Sequence, residues 1–256
     1  MKFQTIEVSE EDSILRVVIN RVQHKNSLNS TLIDELNEVL YRIREEKHIK
    51  ILLLEGKGGY FCTGMDFGII AAKGEDSEAA SLTKDYMVFL ERLSSEPVVT
   101  IAMVDGQVLA GGVGIVAACD FAIATKNSSF SLSEALWGLM PCMVMPYLIR
   151  KSGFQAAKRM TLTTLPFNAA EAERIKLVDE VSDNLTITRN QFCSRIKRLD
   201  KETIGKIKNY LNKMDVITQE ERDYAVNETS KLFGSPKVLE NISNYVNYNI
   251  FPWENR

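Results

Sequence analysis

Three stretches of the chain carry residues whose types and spacing suit acid–base chemistry on a polarised carbonyl. The first is Val104–Asp120, read as VDGQVLAGGVGIVAACD. Its Leu109-Ala110-Gly111-Gly112-Val113-Gly114 turn leads into an alanine-rich apolar segment. Glycines let a ligand approach the backbone, and a helix N-terminus supplies unpaired N–H donors and a positive dipole end. The second is Phe61-Cys62-Thr63-Gly64-Met65-Asp66-Phe67, which also places a glycine just before a helix. Either turn alone reads as tight core packing. Together they can aim two N–H groups at one oxygen, the geometry of an oxyanion hole. The third is Ser129–Pro141, SFSLSEALWGLMP, where Glu134 stands among Leu132, Ala135, Leu136 and Trp137. Apolar burial there would raise its carboxyl toward working pH, which suits a general acid–base; without the flanking motifs it reads rather as a surface helix cap.

The elements that must position these residues follow from the pattern of apolar runs. Phe3–Val8 and Ile14–Asn20 read as paired strands joined at Glu10-Glu11-Asp12. Leu32–Ile43 is an amphipathic helix with Asn29 or Ser30 as N-cap. Ile49–Leu54 and the run behind Pro97, through Val104, are buried strands, and Phe121–Thr125 is another. Strand–helix–strand repetition implies a parallel sheet with crossover helices. Gly68–Ser81 is small and polar, a loop able to act as a lid, and a helix follows at Leu82–Leu93. Met87, Phe89 and Leu90 read as its core stripe. Gly153–Thr163 is helical, Asn168 caps a helix at Ala169–Ile175, and Val178–Val181 is extended. Ile187–Leu211 and Glu220–Phe233 read as charged amphipathic helices. Around Phe251-Pro252-Trp253, the aromatics read either as a docking element or as a simple cap.

Composition bounds the function. The chain has 256 residues, 45% apolar and 25% charged, with a net charge of −3. That is ordinary globular composition with no nucleic-acid footprint. No apolar run reaches membrane-spanning length, and MKFQTIEVSEEDS does not read as a signal peptide. Cys62, Cys119, Cys142 and Cys193 lie far apart with no CxxC pair, as expected of buried thiols in a reducing, cytoplasmic setting rather than of disulfides or a metal site. Cys62 is a conceivable nucleophile, but His24 and His48 both lie outside the motif stretches.

The order, spacing and residue types of the three stretches, with the Asn26-Ser27-Leu28-Asn29 turn, resemble the crotonase (enoyl-CoA hydratase/isomerase) superfamily from about residue 3 to 179. The resemblance implies an α/β fold: a crotonase-type ββα spiral core, residues 1–184, holding the active site. A helical region, residues 185–256, would cover the site and assemble homotrimers, often paired into hexamers. It assigns the oxyanion donors to the backbone N–H groups of Met65 and Gly111, and the acid–base role to Glu134. Asp66 follows a donor and precedes a helix, so it is either a structural cap or a carboxylate assisting the leaving hydroxyl. Trp137, Met140 and Met143 read either as gap-filling core or as a deformable wall for an acyl chain.

One position departs from the pattern. Simple hydratases of this family carry a second glutamate where this chain has Gly114. FCTGMDF, LAGGVG, SFSLSEALWGLMP, PYLIRKSG and FPWE instead look like crotonases of polyketide β-branching, which dehydrate 3-hydroxy-3-methylglutaryl groups on acyl carrier protein. The expected product is 3-methylglutaconyl-carrier protein, passed to a downstream decarboxylase of the same superfamily. No cofactor beyond the phosphopantetheine thioester is implied. Lys25 and Lys73 are the candidate contacts to the acidic carrier or its phosphopantetheine. A Δ3-Δ2 enoyl-CoA isomerase and a non-catalytic scaffold of the same fold are the alternatives.

Overall fold

The computed structural model describes residues 3–71 and 78–254. The chain opens with a hairpin, β1 (Ile6–Glu11) and β2 (Ile14–Ile19), then α1 (Ser30–Glu45). Three repeats follow. In the first, β3 (Ile51–Gly56) and the short β4 (Tyr60–Cys62) precede α2 (Phe67–Ala71) and α3 (Glu78–Ser95). The second comprises β5 (Val99–Val104), the short β6 (Gln107–Leu109) and α4 (Gly111–Ala118). The third comprises β7 (Phe121–Thr125), the short β8 (Ser129–Ser131), a 3₁₀ turn at Glu134–Trp137 and α5 (Met145–Ser152). Then come α6 (Phe154–Thr163), β9 (Phe167–Asn168), α7 (Ala169–Arg174) and β10 (Glu180–Ser182). The remaining elements are all helices: α8 (Leu185–Ile196), α9 (Lys201–Met214), α10 (Gln219–Phe233) and α11 (Pro236–Tyr248).

In each of the three repeats the long strand joins one sheet and the short strand the other, which gives the expected strand–strand–helix spiral. The main sheet runs β1-β2-β3-β5-β7-β10, parallel except for the first hairpin. The second runs β4-β6-β8-β9, parallel except at β8–β9. Both faces of the main sheet are covered. Along β3, Leu52 and Leu54 join the large core on one side, while Ile51 and Leu53 face the cluster that includes Cys193 of α8 and Ile204 of α9. Such two-sided burial explains why β3 and β5 read as continuous apolar runs rather than alternating ones.

Helix ends follow their side chains. Asn29 accepts from the Leu32 N–H at 2.9 Å and starts α1, and Asn168 accepts from Glu171 to start α7. The polar stretch expected over Gly68–Ser81 is more regular than its composition suggests: α2 runs to Ala71 and α3 begins at Glu78. Residues 72–77, including Lys73, lie outside the described residues. Helix α11 was not evident in the sequence; its Val238 and Ile242 are buried against Trp137 and Leu139. Among the described residues, no helix is long and apolar enough to cross a membrane.

Candidate active site

The short strands end where the chemistry-bearing turns begin. Leu28 stitches the Asn26–Asn29 turn to the Gly64 turn: its N–H donates to Gly64 O at 2.7 Å, and its carbonyl accepts from the Asp66 N–H at 3.0 Å. Met65 lies between these bonds. Among the described residues, neither its N–H nor that of Gly111 meets an acceptor within the chain. The two turns touch. A Cβ added at Gly64, whose φ is +82°, would lie 2.6 Å from Ala110 Cβ and 3.1 Å from Gly111 N, so only glycine permits this approach. Ala110 itself holds φ +49° and ψ −121°, the first central position of a II′-type turn that glycine normally occupies. Holding alanine there costs on the order of 1–3 kcal/mol. It turns the chain so that Gly111 starts α4 at the cavity wall.

A cavity of about 310 Å³ opens between these turns. Met65, Asp66, Gly111 and Glu134 line it, as do Trp137, Met140, Met143 and Lys25. The structure therefore brings these candidate site residues together; Lys73 lies outside the described residues. Trp137 and Met143 are buried, whereas Met140 is 48% exposed and forms part of the rim. Lys25 takes a left-handed φ of +51° and its carbonyl accepts from Thr63 Oγ1 at 2.9 Å, tying the rim to the Gly64 turn.

Glu134 begins the 3₁₀ turn, and its carbonyl accepts from the Leu139 N–H at 3.0 Å. Part of the residue touches solvent, but Oε2 is wholly buried and, among the described residues, has no hydrogen-bond partner. Burial is the dominant cause that pushes its carboxyl up to about 7. A lone carboxyl of that kind, aimed into a cavity and poised near neutrality, is built to exchange a proton.

Asp66 is anchored differently. Its Oδ1 accepts from the Gly68 N–H at 3.0 Å. Oδ2 accepts from Ser27 Oγ at 3.1 Å and pairs with Arg21 at 3.4 Å, with His24 Nδ1 at 3.7 Å. Those contacts brace the Met65 turn against the Asn26–Asn29 turn. Cys62 is no nucleophile: burial pushes its thiol up to about 12. Glu10, Glu46 and His48 gather closely enough to share a cation but do not line the cavity, and Arg42 pairs with both glutamates.

Sequence reasoning missed part of the wall. Thr229 and Phe233 of α10 and Tyr245 of α11 line the cavity. Tyr245 packs on Trp137 with ring centroids 4.9 Å apart, and Phe251 and Trp253, stacked on each other, lie tilted and edge-on to the same indole at 6.1 and 6.2 Å. The aromatic tail is thus a docking element. Tyr86 of α3 also lines the cavity, and burial above all raises its hydroxyl well beyond the usual range, so it remains a donor.

The model of the enoyl-CoA hydratase/isomerase family matches residues 9–256. The chain belongs to the enoyl-CoA hydratase/isomerase family. Within it, the chain is 35% identical over 99% of its length to the bacillaene synthase dehydratase PksH of Bacillus subtilis (strain 168), of which 98% is covered. The crystal structure of B. subtilis PksH superposes with a TM-score of 0.89 at 33% identity, over 98% of this chain and all of that one. An enoyl-CoA hydratase structure from Bacillus halodurans gives 0.88 at 20% identity, covering 93% and 99%, and supports the fold alone. The family is one of enzymes, and these relatives are named for hydro-lyase activities, a dehydratase and enoyl-CoA hydratases.

Proposed function

We propose that the protein dehydrates 3-hydroxy-3-methylglutaryl-acyl carrier protein to 3-methylglutaconyl-acyl carrier protein in polyketide β-branching. The observation that carries this reading is Glu134: its buried Oε2 has no hydrogen-bond partner among the described residues, burial pushes its carboxyl up to about 7, and it faces the cavity that Met65 and Gly111 also line. The likeness to a PksH dehydratase supports the pathway class.

In this mechanism the thioester oxygen accepts from the Met65 and Gly111 N–H groups. Glu134 removes the α-proton, and the charge moves to that oxygen as an enolate. Losing one such donor typically costs roughly 3–4 kcal/mol of transition-state stabilisation. Glu134, now protonated, returns the proton to the departing β-hydroxyl, so one group serves both steps from one face of the substrate. Asp66 braces the donor turn through Gly68, Ser27 and Arg21 rather than touching substrate. Trp137, Met140 and Met143 wall the acyl group. Lys25 at the rim, together with Lys73, meets the acidic carrier. On α9, Ile207, Leu211 and Met214 share one exposed face, which supports residues 185–256 as the surface of a trimer or hexamer. The product passes to a decarboxylase, and the reaction is cytoplasmic.

Mass spectrometry of carrier loaded with 3-hydroxy-3-methylglutaryl thioester tests this. Loss of one water per carrier is expected. Conversion of a 3-enoyl thioester without dehydration would instead identify an isomerase, and no conversion of either would leave a scaffold.

A further inference from the structure

Tyr86 was not among the residues singled out in the sequence. Its ring belongs to the core stripe of α3, which buries Leu82, Tyr86, Leu90 and Leu93, yet its hydroxyl reaches the cavity wall. There it donates to the Gly111 carbonyl at 2.5 Å. That carbonyl lies on the same residue as the candidate oxyanion N–H. The hydroxyl also fills the space beside Gly114: a Cβ added there would lie 2.4 Å from Tyr86 Oη, 3.2 Å from Val144 Cγ2 and 3.5 Å from Tyr86 Cζ. Oη is therefore the atom that presses hardest on the space beside Gly114. Val144 Cγ2 at 3.2 Å is a milder contact that must give by a few tenths of an ångström, and the ring carbon is at ordinary contact.

We propose that Tyr86 is a positioning residue: its hydroxyl holds the first residue of α4 by the Gly111 carbonyl, aims the Gly111 N–H at the thioester oxygen, and occupies the alcove in which a side chain at 114 would stand. Glycine at 114 and tyrosine at 86 are then one device, and Glu134 is left as the sole carboxyl at the reacting carbons. This rests on the reading of Gly111 N–H as an oxyanion donor. It does not depend on which group leaves the β-carbon.

The test is α-proton exchange of a butyryl-pantetheine thioester in deuterium oxide, followed by mass spectrometry. Butyryl has no leaving group, so exchange reads enolate formation alone. Tyr86→Phe keeps the ring and loses the donor; exchange should slow about 10-fold at saturation, about 1.4 kcal/mol, with half-saturation unchanged within about 2-fold. Gly114→Ala should slow it similarly by displacing Oη. Once Tyr86→Phe has removed that oxygen, the one tight contact left to the same alanine is the Val144 methyl at 3.2 Å. The double variant Tyr86→Phe/Gly114→Ala should therefore exchange no more slowly than Tyr86→Phe, a non-additivity that independent packing defects would not produce. Exchange by Tyr86→Phe within 2-fold of the parent, or additive losses in the pair, overturns the proposal. Should Tyr86→Phe fail to melt cooperatively, Gly114→Ala carries the test through half-saturation against maximal rate: a loss confined to the maximal rate supports the proposal, and a loss confined to half-saturation overturns it. Robust exchange by the parent without dehydration of the hydroxymethylglutaryl carrier would sink the proposed reaction and leave the Tyr86 test intact.

Discussion

If Glu134 owes its proton affinity to burial, removing its charge should relieve the fold as well as stop the chemistry. Below about pH 4.5 folded and unfolded chains both hold the proton; between 4.5 and about 7 only the folded chain does; above about 7 neither does. Stability contributed by this group is thus present at low pH and lost as pH rises through that window. At about 1.4 kcal/mol per pH unit, moving the carboxyl from 4.5 to about 7 costs the ionised folded chain about 3 kcal/mol. The partly wetted remainder of the side chain makes this an upper value. Glu134→Gln keeps the shape and stays neutral at every pH. Any fixed packing difference cancels when the two chains are compared across pH. From about pH 5 to about pH 8.5 the parent should lose roughly 2–2.5 kcal/mol relative to the variant, since at about pH 5 the unfolded carboxyl is already largely ionised. Urea unfolding of both proteins, at one fixed concentration so that assembly does not enter, measures this directly. Parallel pH profiles, agreeing within about 0.5 kcal/mol, would refute the claim that burial raises this carboxyl.

The same variant should lose at least ~10²-fold in turnover while still binding loaded carrier, and the parent's rate should rise with pH through about 7 as the base form appears. Asp66→Asn retains an acceptor for the Gly68 N–H, so turnover within about 10-fold of the parent is expected; a well-folded but inactive variant would move a catalytic carboxylate to Asp66. Gly64→Ala forces alanine to φ +82° and its Cβ to 2.6 Å from Ala110, so α-proton exchange should collapse by ~10²-fold or more; near-native exchange would disconnect the two turns. Charge reversal at Lys25 and Lys73 together should raise KM for carrier-bound substrate but not for the pantetheine thioester, and an equal effect on both would remove the carrier contact.

The legible parts of the molecule were those with long patterns. β3 and β5 are continuous apolar runs because helices cover both faces of their sheet, and α1 announces itself through a buried stripe and the Asn29 cap. The second sheet was invisible: its strands are two or three residues long, too short for any period to register. Helix α11 was missed because Asn241, Asn244 and Asn247 weaken its propensity, while its stability comes from seating Val238 and Ile242. Tyr86 did leave a signal, a hydroxyl on an otherwise apolar stripe. Reading its purpose required knowing that the stripe ends against Gly111 and Gly114, a contact no local pattern encodes.

The cavity draws its rim from Lys25 and Ser27 and its far wall from Phe233 and Tyr245, near opposite ends of the chain. A helix whose loss leaves the sheets intact therefore decides whether a pocket exists at all. Asn241 of α11 donates to the Trp137 carbonyl at 3.1 Å, and Tyr245 covers the indole. Local opening of α11 would uncover Trp137 while both sheets remain paired. Ligand affinity and global stability are then separable properties here: damage to α11 should silence the enzyme well before it unfolds it, and a tightly held acyl group should act as the clasp that keeps α11 in place.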